Sequence, residues 1–188
     1  IATARMINEK TAEALKDRFN EGYKGKLYGG FIATKAGVKL IEYNARFGDP
    51  EAMNVLSILK TDFVDICNAI IDEKLSVTEV EFENIATVCK YAVPEGYPEK
   101  PTKGERIDVS SVNNMENLFF ASVGVNDGEL IEEGSRTVAC VGKGSSIHEA
   151  ERIAEKEISC VKGPLFHRED IGTRKLIKKR IAHLESLR

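Results

Sequence analysis

The side chains best equipped for chemistry fall within eleven residues, Ile41 to Glu51, which read I-E-Y-N-A-R-F-G-D-P-E. Val38 to Asn44 reads as a strand, so Glu42 and Asn44, two apart, point to the same face roughly 6 to 7 Å from each other. A carboxylate and an amide oxygen at that spacing can hold a hard cation between them. Magnesium takes oxygen ligands and commonly uses one or two protein groups, filling the rest of its shell with water and phosphate. Arg46 follows, with a rigid fork of donors suited to phosphate or carboxylate and a charge it keeps at neutral pH. Gly48-Asp49-Pro50-Glu51 then reads as a helix start, with Asp49 as N-cap, Pro50 at the first helical position and Glu51 in the first turn. Such a start presents free backbone N–H groups. Together these residues make half of a nucleotide site. Composition alone equally allows Glu42 and Asn44 to be solvated strand-end groups, and Asp49-Pro50 to be nothing more than a cap.

Elements that could position this stretch are legible on both sides of it. Ala4 to Phe19 carries Ile7, Thr11, Ala14, Leu15 and Phe19 at three- and four-residue steps, predicting a one-sided helix that Glu21 to Gly25 breaks. Leu27 to Ala33 and Val38 to Tyr43 predict two strands joined by the turn Thr34-Lys35-Ala36-Gly37. Gly29-Gly30 within the first strand reads as a bulge, or else as a place of close backbone approach. Met53, Val55, Leu56 and Leu59 continue the helix opened at Asp49. A second helix after Thr61 places Phe63, Ile66, Cys67, Ile70 and Ile71 on one face. Both helices are expected to brace the hairpin from its core side.

From about Asn84 the texture changes to short strand-like runs, Ala86 to Ala92, Arg106 to Val109, Leu118 to Val125 and Thr137 to Gly142, punctuated by turn formers. This places a domain boundary near residues 75 to 84, giving domains over 1–83 and 84–188 with Lys74 to Glu83 as connector. Val141-Gly142-Lys143-Gly144-Ser145-Ser146 suggests a phosphate loop but lacks the P-loop spacing. It reads better as a strand, a glycine turn and a helix capped by Ser146 and Glu149, with Ala150, Ile153, Ala154 and Ile158 as its buried stripe. Arg174 to Leu187 predicts a closing helix with Ile177, Ile181 and Leu184 on one face and a solvated lysine-rich side.

Other features bound the function class. The 188 residues, 42% hydrophobic, allow one large domain or two small ones, and a net charge of −3 leaves no basic footprint for nucleic acid. No apolar run is long enough to span a bilayer and no signal-peptide pattern opens the chain. The chain starts at Ile1 with a helical pattern already under way, which suggests a fragment, a processed product or a renumbered piece. Cys67, Cys89, Cys140 and Cys160 form no Cys-x-x-Cys pair and each lies in an apolar pattern. They are expected to be buried reduced thiols, which points to the cytoplasm. His167 could titrate near neutrality but is more simply structural, and Arg168 with Asp170 can pair to hold its loop.

The string around Glu42, with L-Y-G-G-F-I-A-T-K-A-G-V-K-L ahead of it, resembles the metal-binding segment of the phosphoribosylamine-glycine ligase (glycinamide ribonucleotide synthetase) family of ATP-grasp enzymes, whose pattern is E-(F/Y)-N-x-R-F-G-D-P-E. V-P-E-G-Y-P-E-K-P-T-K-G-E-R-I is similar to the Gly-Tyr-Pro, Lys-Gly and Ile segment of that family's C-terminal domain. F-H-R-E-D-I-G resembles its late Phe-(Tyr/His)-Arg-x-Asp-Ile-Gly element, and Arg136 falls where the family carries an arginine before a strand. The resemblance implies an α+β fold: the C-terminal part of an ATP-grasp domain, a β-hairpin backed by helices, followed by a small mixed α/β domain. It implies an enzyme of purine biosynthesis that uses ATP to phosphorylate the carboxylate of glycine. The amine of 5-phosphoribosylamine then displaces phosphate to give glycinamide ribonucleotide. In that frame Glu42 and Asn44 hold Mg2+ or Mn2+ against the phosphates of ATP, Arg46 stabilises the transferred phosphoryl group, and Asp49 holds the glycine ammonium or positions the amine. Arg136 and Arg168 are open candidates for substrate contact.

The resemblance covers about the C-terminal half of the family's usual length. The missing N-terminal half is therefore an expected partner, and the chain by itself is expected to be inactive. Two other readings stay open: another ATP-grasp ligase, such as a biotin-dependent carboxylase, and a non-catalytic interaction module that keeps the fold. Neither nucleic acid nor membrane is an expected partner.

Overall fold

The computed structural model describes residues 1–187. By its contacts the chain forms two compact units. One comprises Ile1–Ala52, Leu59–Glu83 and the end of the last helix from Arg180, and the other comprises Met53–Ile58 and Asn84–Lys179.

In the first unit, α1 (Ala2–Phe19) places Ile7, Asn8, Thr11 and Leu15 on its half-buried face, close to the expected stripe. Ala14 and Phe19 depart from that stripe: both are exposed, Phe19 to 68% where the helix ends and Asn20 turns left-handed. β1 (Tyr28–Thr34) and β2 (Gly37–Asn44) pair antiparallel from Thr34 with Gly37 down to Tyr28 with Asn44. Their register shifts between Gly30 and Phe31, so the glycine pair does mark a bulge. α1 is tied to this hairpin by hydrogen bonds: the Tyr43 hydroxyl donates to Asn8 Oδ1 at 3.1 Å and lies 2.9 Å from Thr11 Oγ1.

The two helices after the signature were expected to brace the hairpin, and they are arranged differently. α2 is a six-residue helix, Glu51–Leu56, that begins beyond Asp49 and Pro50, whose shared peptide is cis. These two residues form a turn that the Ala52 N–H closes on the Gly48 carbonyl at 2.8 Å, so Asp49 is not the N-cap and Pro50 is not the first helical residue. The extended anion-accepting helix start expected here is thus a short turn. Leu59 lies past the end of α2 and bridges to Phe82, and Met53 packs with Cys89, Ala139 and Val141 in the second unit. α3 (Phe63–Ile71) is capped by Asp62, whose side chain accepts from Val64 N at 2.7 Å, and it buries Ile66 and Ala69 while Ile71 stays exposed. The connector carries one 3-10 turn, Leu75–Val77.

The second unit is built on an antiparallel sheet ordered β4-β7-β3-β8, from β3 (Ala86–Pro94), β4 (Leu118–Phe120), β7 (Val138–Gly144) and β8 (Leu165–His167). A separate hairpin joins β5 (Val123–Asn126) to β6 (Glu129–Glu132). The expected strand Leu118 to Val125 is therefore two strands. The chain leaves β7 after Phe120 and takes β6 as its new partner at Val123. Arg106 to Val109, also expected as a strand, makes only isolated bridges to Ile131 and Lys162. Ala92, Ile107, Val138, Cys140 and Ile158 centre the main core.

α4 (Ile147–Ile158) lies on this sheet, capped by Ser146 as the sequence predicts, its Oγ accepting from Glu149 N at 3.2 Å, while Glu149 Oε2 accepts from Ser145 N at 2.8 Å, one residue before the N-cap. Its buried residues include Ala150, Ala154 and Ile158. Ile153 is only half-buried. The glycines of the Gly-Lys-Gly turn are explained by this packing. A Cβ on Gly142 would stand 1.9 Å from the Ala150 carbonyl oxygen, and one on Gly144 would stand 2.8 Å from Glu149 Cγ. α5 (Arg174–Ser186) closes the chain, with Ile181 and Leu184 exposed.

Under α4 the sheet carries one residue that sequence reasoning passed over. Lys90, in central strand β3, has a fully buried side chain and donates to Glu151 Oε1 at 2.8 Å, to Glu155 Oε2, and to the Glu169 carbonyl at 2.8 Å. His167 Nε2 lies 3.0 Å from the other oxygen of Glu155. An ammonium in such a place is tolerated because three acceptors replace its water. Burial pushes the Glu155 carboxyl up, but hydrogen bonds and charge from Lys90 and His167 outweigh it and hold the carboxyl below its ordinary 4.5.

Three outcomes follow for urea unfolding of the whole chain. Gly142→Ala forces helix and strand apart and should cost about 2 kcal/mol or more. Lys90→Met leaves two carboxylates without their cation and should cost roughly 3 to 5 kcal/mol. A lowered carboxyl stabilises above its unfolded value and loses that contribution as pH falls through the folded one. The unfolding midpoint should therefore drop as pH is taken below about 4.5, and Glu155→Gln should flatten that drop.

Candidate functional site at the end of the hairpin

Strand alternation puts Glu42 and Asn44 on one face of β2, and the structure shows them touching: Asn44 Nδ2 donates to Glu42 Oε1 at 3.1 Å. Glu42 is exposed and Asn44 half-buried. Gly30 pairs opposite Glu42, where a Cβ would stand in ordinary contact with Glu42 Cγ at 3.4 Å. Tyr28, opposite Asn44, donates its hydroxyl proton to Glu51 Oε1 at 2.9 Å. That hydrogen bond, then burial, then the charges of Glu51 and Glu42 push the Tyr28 phenol above its usual range. Glu42 and Glu51 both bear on Tyr28, a setting that favours a cation.

The donor set fits a hard divalent ion. A carboxylate and an amide oxygen are the ligand types Mg2+ and Mn2+ take, and half a turn of the Asn44 amide about its soft terminal torsion brings Oδ1 to the Glu42 side. Among the described residues no cluster of three or more His, Cys, Asp or Glu could hold a metal. An ion at this pair therefore draws its other ligands from water or an anionic ligand.

Arg46 is exposed on the bend after β2 and gives Nη1 to the Phe47 carbonyl at 2.7 Å. A guanidinium has five N–H donors, so most of its fork stays available to an anion. Gly48 is buried beside Tyr28 and Glu51, and Asp49 stands exposed on the turn that follows. An open cleft of about 390 Å³ elsewhere on this unit is lined in part by Lys24 and Glu73 and does not include these residues. Lys24 is already engaged there by Glu73 Oε1 at 2.9 Å and the Ile71 carbonyl at 3.1 Å.

The remaining candidates lie in the second unit. Arg168 and Asp170 form the expected pair, Nε to Oδ1 at 3.0 Å and Nη2 to Oδ2 at 2.9 Å. His167 has a structural partner in Glu155, and the Arg136 guanidinium carbon stands 5.6 Å from the Tyr91 ring centroid. Lys90 was missed, although a lysine inside the apolar run A-T-V-C-K-Y-A-V was the available signal. None of the four cysteines is in a disulfide. Cys89 and Cys140 are buried as expected, and burial first, then Glu157 and the neighbouring thiols, pushes Cys140 up to about 12. Cys67 and Cys160 are only half-buried, because the first faces Lys26 and the second follows the last turn of α4. No helix among the described residues is long and apolar enough to cross a membrane.

Comparison with known proteins gives the chain's relatives. Residues 2–52 match a family model described as phosphoribosylglycinamide synthetase, ATP-grasp (A) domain, and residues 87–174 match the C domain of the same synthetase. Phosphoribosylamine-glycine ligase of Methanocaldococcus jannaschii is 53% identical over 100% of this chain, and that of Methanobrevibacter smithii is 50% identical over 98%. The chain spans 43% and 42% of those two relatives, under half of their length. The crystal structure of phosphoribosylamine-glycine ligase from Thermotoga maritima superposes with a TM-score of 0.67 at 28% identity, covering 82% of this chain and 39% of that one. Urea carboxylase of Kluyveromyces lactis, at 13% identity and a TM-score of 0.52, covers 80% of this chain and 14% of its own, and shares the fold alone. With an α+β structure whose sequence matches the ATP-grasp and C domains of one enzyme, the chain belongs to the phosphoribosylamine-glycine ligase family.

Proposed function

We propose that this chain is the C-terminal part of an ATP-dependent ligase of purine biosynthesis that joins glycine to 5-phosphoribosylamine, with domains over 1–83 and 84–188, working in the cytoplasm. The observation that carries the reading is the convergence of Glu42 and Asn44 on one face of β2, with Arg46 on the bend beyond them. The thinness of the first unit's interior supports the need for the N-terminal half. Among the described residues its buried apolar side chains are Ile66 and Ala69, and none of α1 is buried. An interior this small does not stabilise a domain of that size by itself.

In this reading Glu42 and Asn44 hold Mg2+ or Mn2+ with ATP. Bound there, the ion neutralises charge that gathers on the phosphoryl group during its transfer. Arg46 turns its remaining donors toward the same group, in a position fixed before the reaction begins. Asp49, exposed on the adjoining turn, supplies a carboxylate for the glycine ammonium. The fold-level likeness to urea carboxylase leaves a different carboxylate substrate as the second reading. The full string Glu-Tyr-Asn-Ala-Arg-Phe-Gly-Asp-Pro-Glu favours the glycine ligase.

In the complete enzyme, Glu42→Ala should raise the barrier by about 3 kcal/mol, roughly a hundredfold in kcat/KM, and shift the metal dependence of the rate. Wild-type metal dependence in that variant would remove Glu42 from the site. Asp49→Asn should raise KM for glycine while leaving KM for ATP unchanged, and unaltered glycine kinetics would reduce Asp49 to a turn residue. The 188 residues assayed alone should give no turnover, and measurable ligation by them would refute their dependence on an N-terminal half.

A further inference from the structure

Arg46 sits on an irregular bend, exposed, where a long side chain has many rotamers open to it. Catalytic use of a guanidinium requires its placement to within about half an ångström. The residue that supplies this restraint is two positions ahead of β1. The Lys26 ammonium stands 4.2 Å from the Phe63 ring centroid and 5.4 Å from that of Phe47, and donates to Cys67 Sγ at 3.6 Å. The two rings lie 6.1 Å apart and are tilted by 46°. One cation therefore ties together the strand entry, the signature bend and the first turn of α3.

We propose that Lys26 is a positioning residue for Arg46. The ammonium draws on the negative faces of both rings and holds Phe47. The Phe47 carbonyl in turn holds Arg46 Nη1 at 2.7 Å, so the guanidinium is aimed through its neighbour's backbone. On the far side of the bend Gly48 is buried against Tyr28 and Glu51, which leaves the aromatic clasp as the restraint on the Arg46 side. Lys26 touches no reacting group in this scheme. The inference rests on the reading of Arg46 as the residue that faces the phosphoryl group.

The test uses the complete ligase with ATP, glycine and 5-phosphoribosylamine. Lys26→Met keeps the apolar stem and removes the charge. It should lower kcat about tenfold, with KM for ATP and glycine within twofold of wild type and the melting temperature nearly unchanged. Lys26→Arg, whose guanidinium also stacks on rings, should restore kcat to within about threefold. In an Arg46→Lys background the Lys26→Met change should add little further loss, because its effect passes through Arg46. A merely structural residue would cost the same in both backgrounds. Equal losses there, or a kcat for Lys26→Met within twofold of wild type, overturn the proposal while leaving the Arg46 reading intact. Wild-type activity in Arg46→Lys overturns both. Where the Arg46→Lys enzyme is below detection, the Met and Arg variants at position 26 decide by themselves.

Discussion

The candidate site depends on the register of a single two-stranded hairpin. Side chains on a strand alternate faces, so a slip of one residue would send Glu42 and Asn44 to the other side. The bulge between Gly30 and Phe31 absorbs one residue of mismatch and sets the pairs Gly30 with Glu42 and Tyr28 with Asn44. Each pair then acts locally. The glycine sits at the bulge opposite the carboxylate, and the tyrosine reaches past Asn44 to Glu51 at the start of the next helix. The acid, the amide and the bend that carries Arg46 are thus placed by backbone pairing, with little help from a core.

The second unit is held in a different way. Its core sits under α4, and the close approach of that helix depends on strand glycines with no side chain to displace it. The same interface contains Lys90 with Glu151 and Glu155. Such a cluster adds little net stability compared with apolar side chains of similar size, yet it is costly to break. It joins β3, α4 and the backbone at Glu169 at one point, and it leaves the ion partners one way to meet. Arg168 and Asp170 lie on the segment that includes Glu169, so the fold of that loop and the buried ammonium are linked by a hydrogen bond, not by proximity alone.

The separation of fold from chemistry is visible in the relatives. A carboxylase at 13% identity shares the chain's architecture, while the ligases near 50% identity share its sequence across both units. Architecture therefore does not choose the substrate. The proposed chemistry rests on a short run of side chains at the end of one strand, not on the sheet that carries them.

Much was legible in the residues themselves. The hairpin, its bulge, α1, the Ser146 cap and the shared face of Glu42 and Asn44 follow from periodicity and local hydrogen bonding, which act over a few residues. The start of α2 was misread because Asp-Pro has the same signature whether it caps a helix or makes the turn before one, and the link from Ala52 to Gly48 decides which. The single run Leu118 to Val125 became two strands because pairing partners are far away in the chain: β7 for one and β6 for the other. The Lys90 cluster and the Lys26 clasp were equally out of reach. Their partners lie 61 residues on at Glu151, 65 on at Glu155 and 41 on at Cys67, and only the folded chain brings an ammonium to acceptors at such separations.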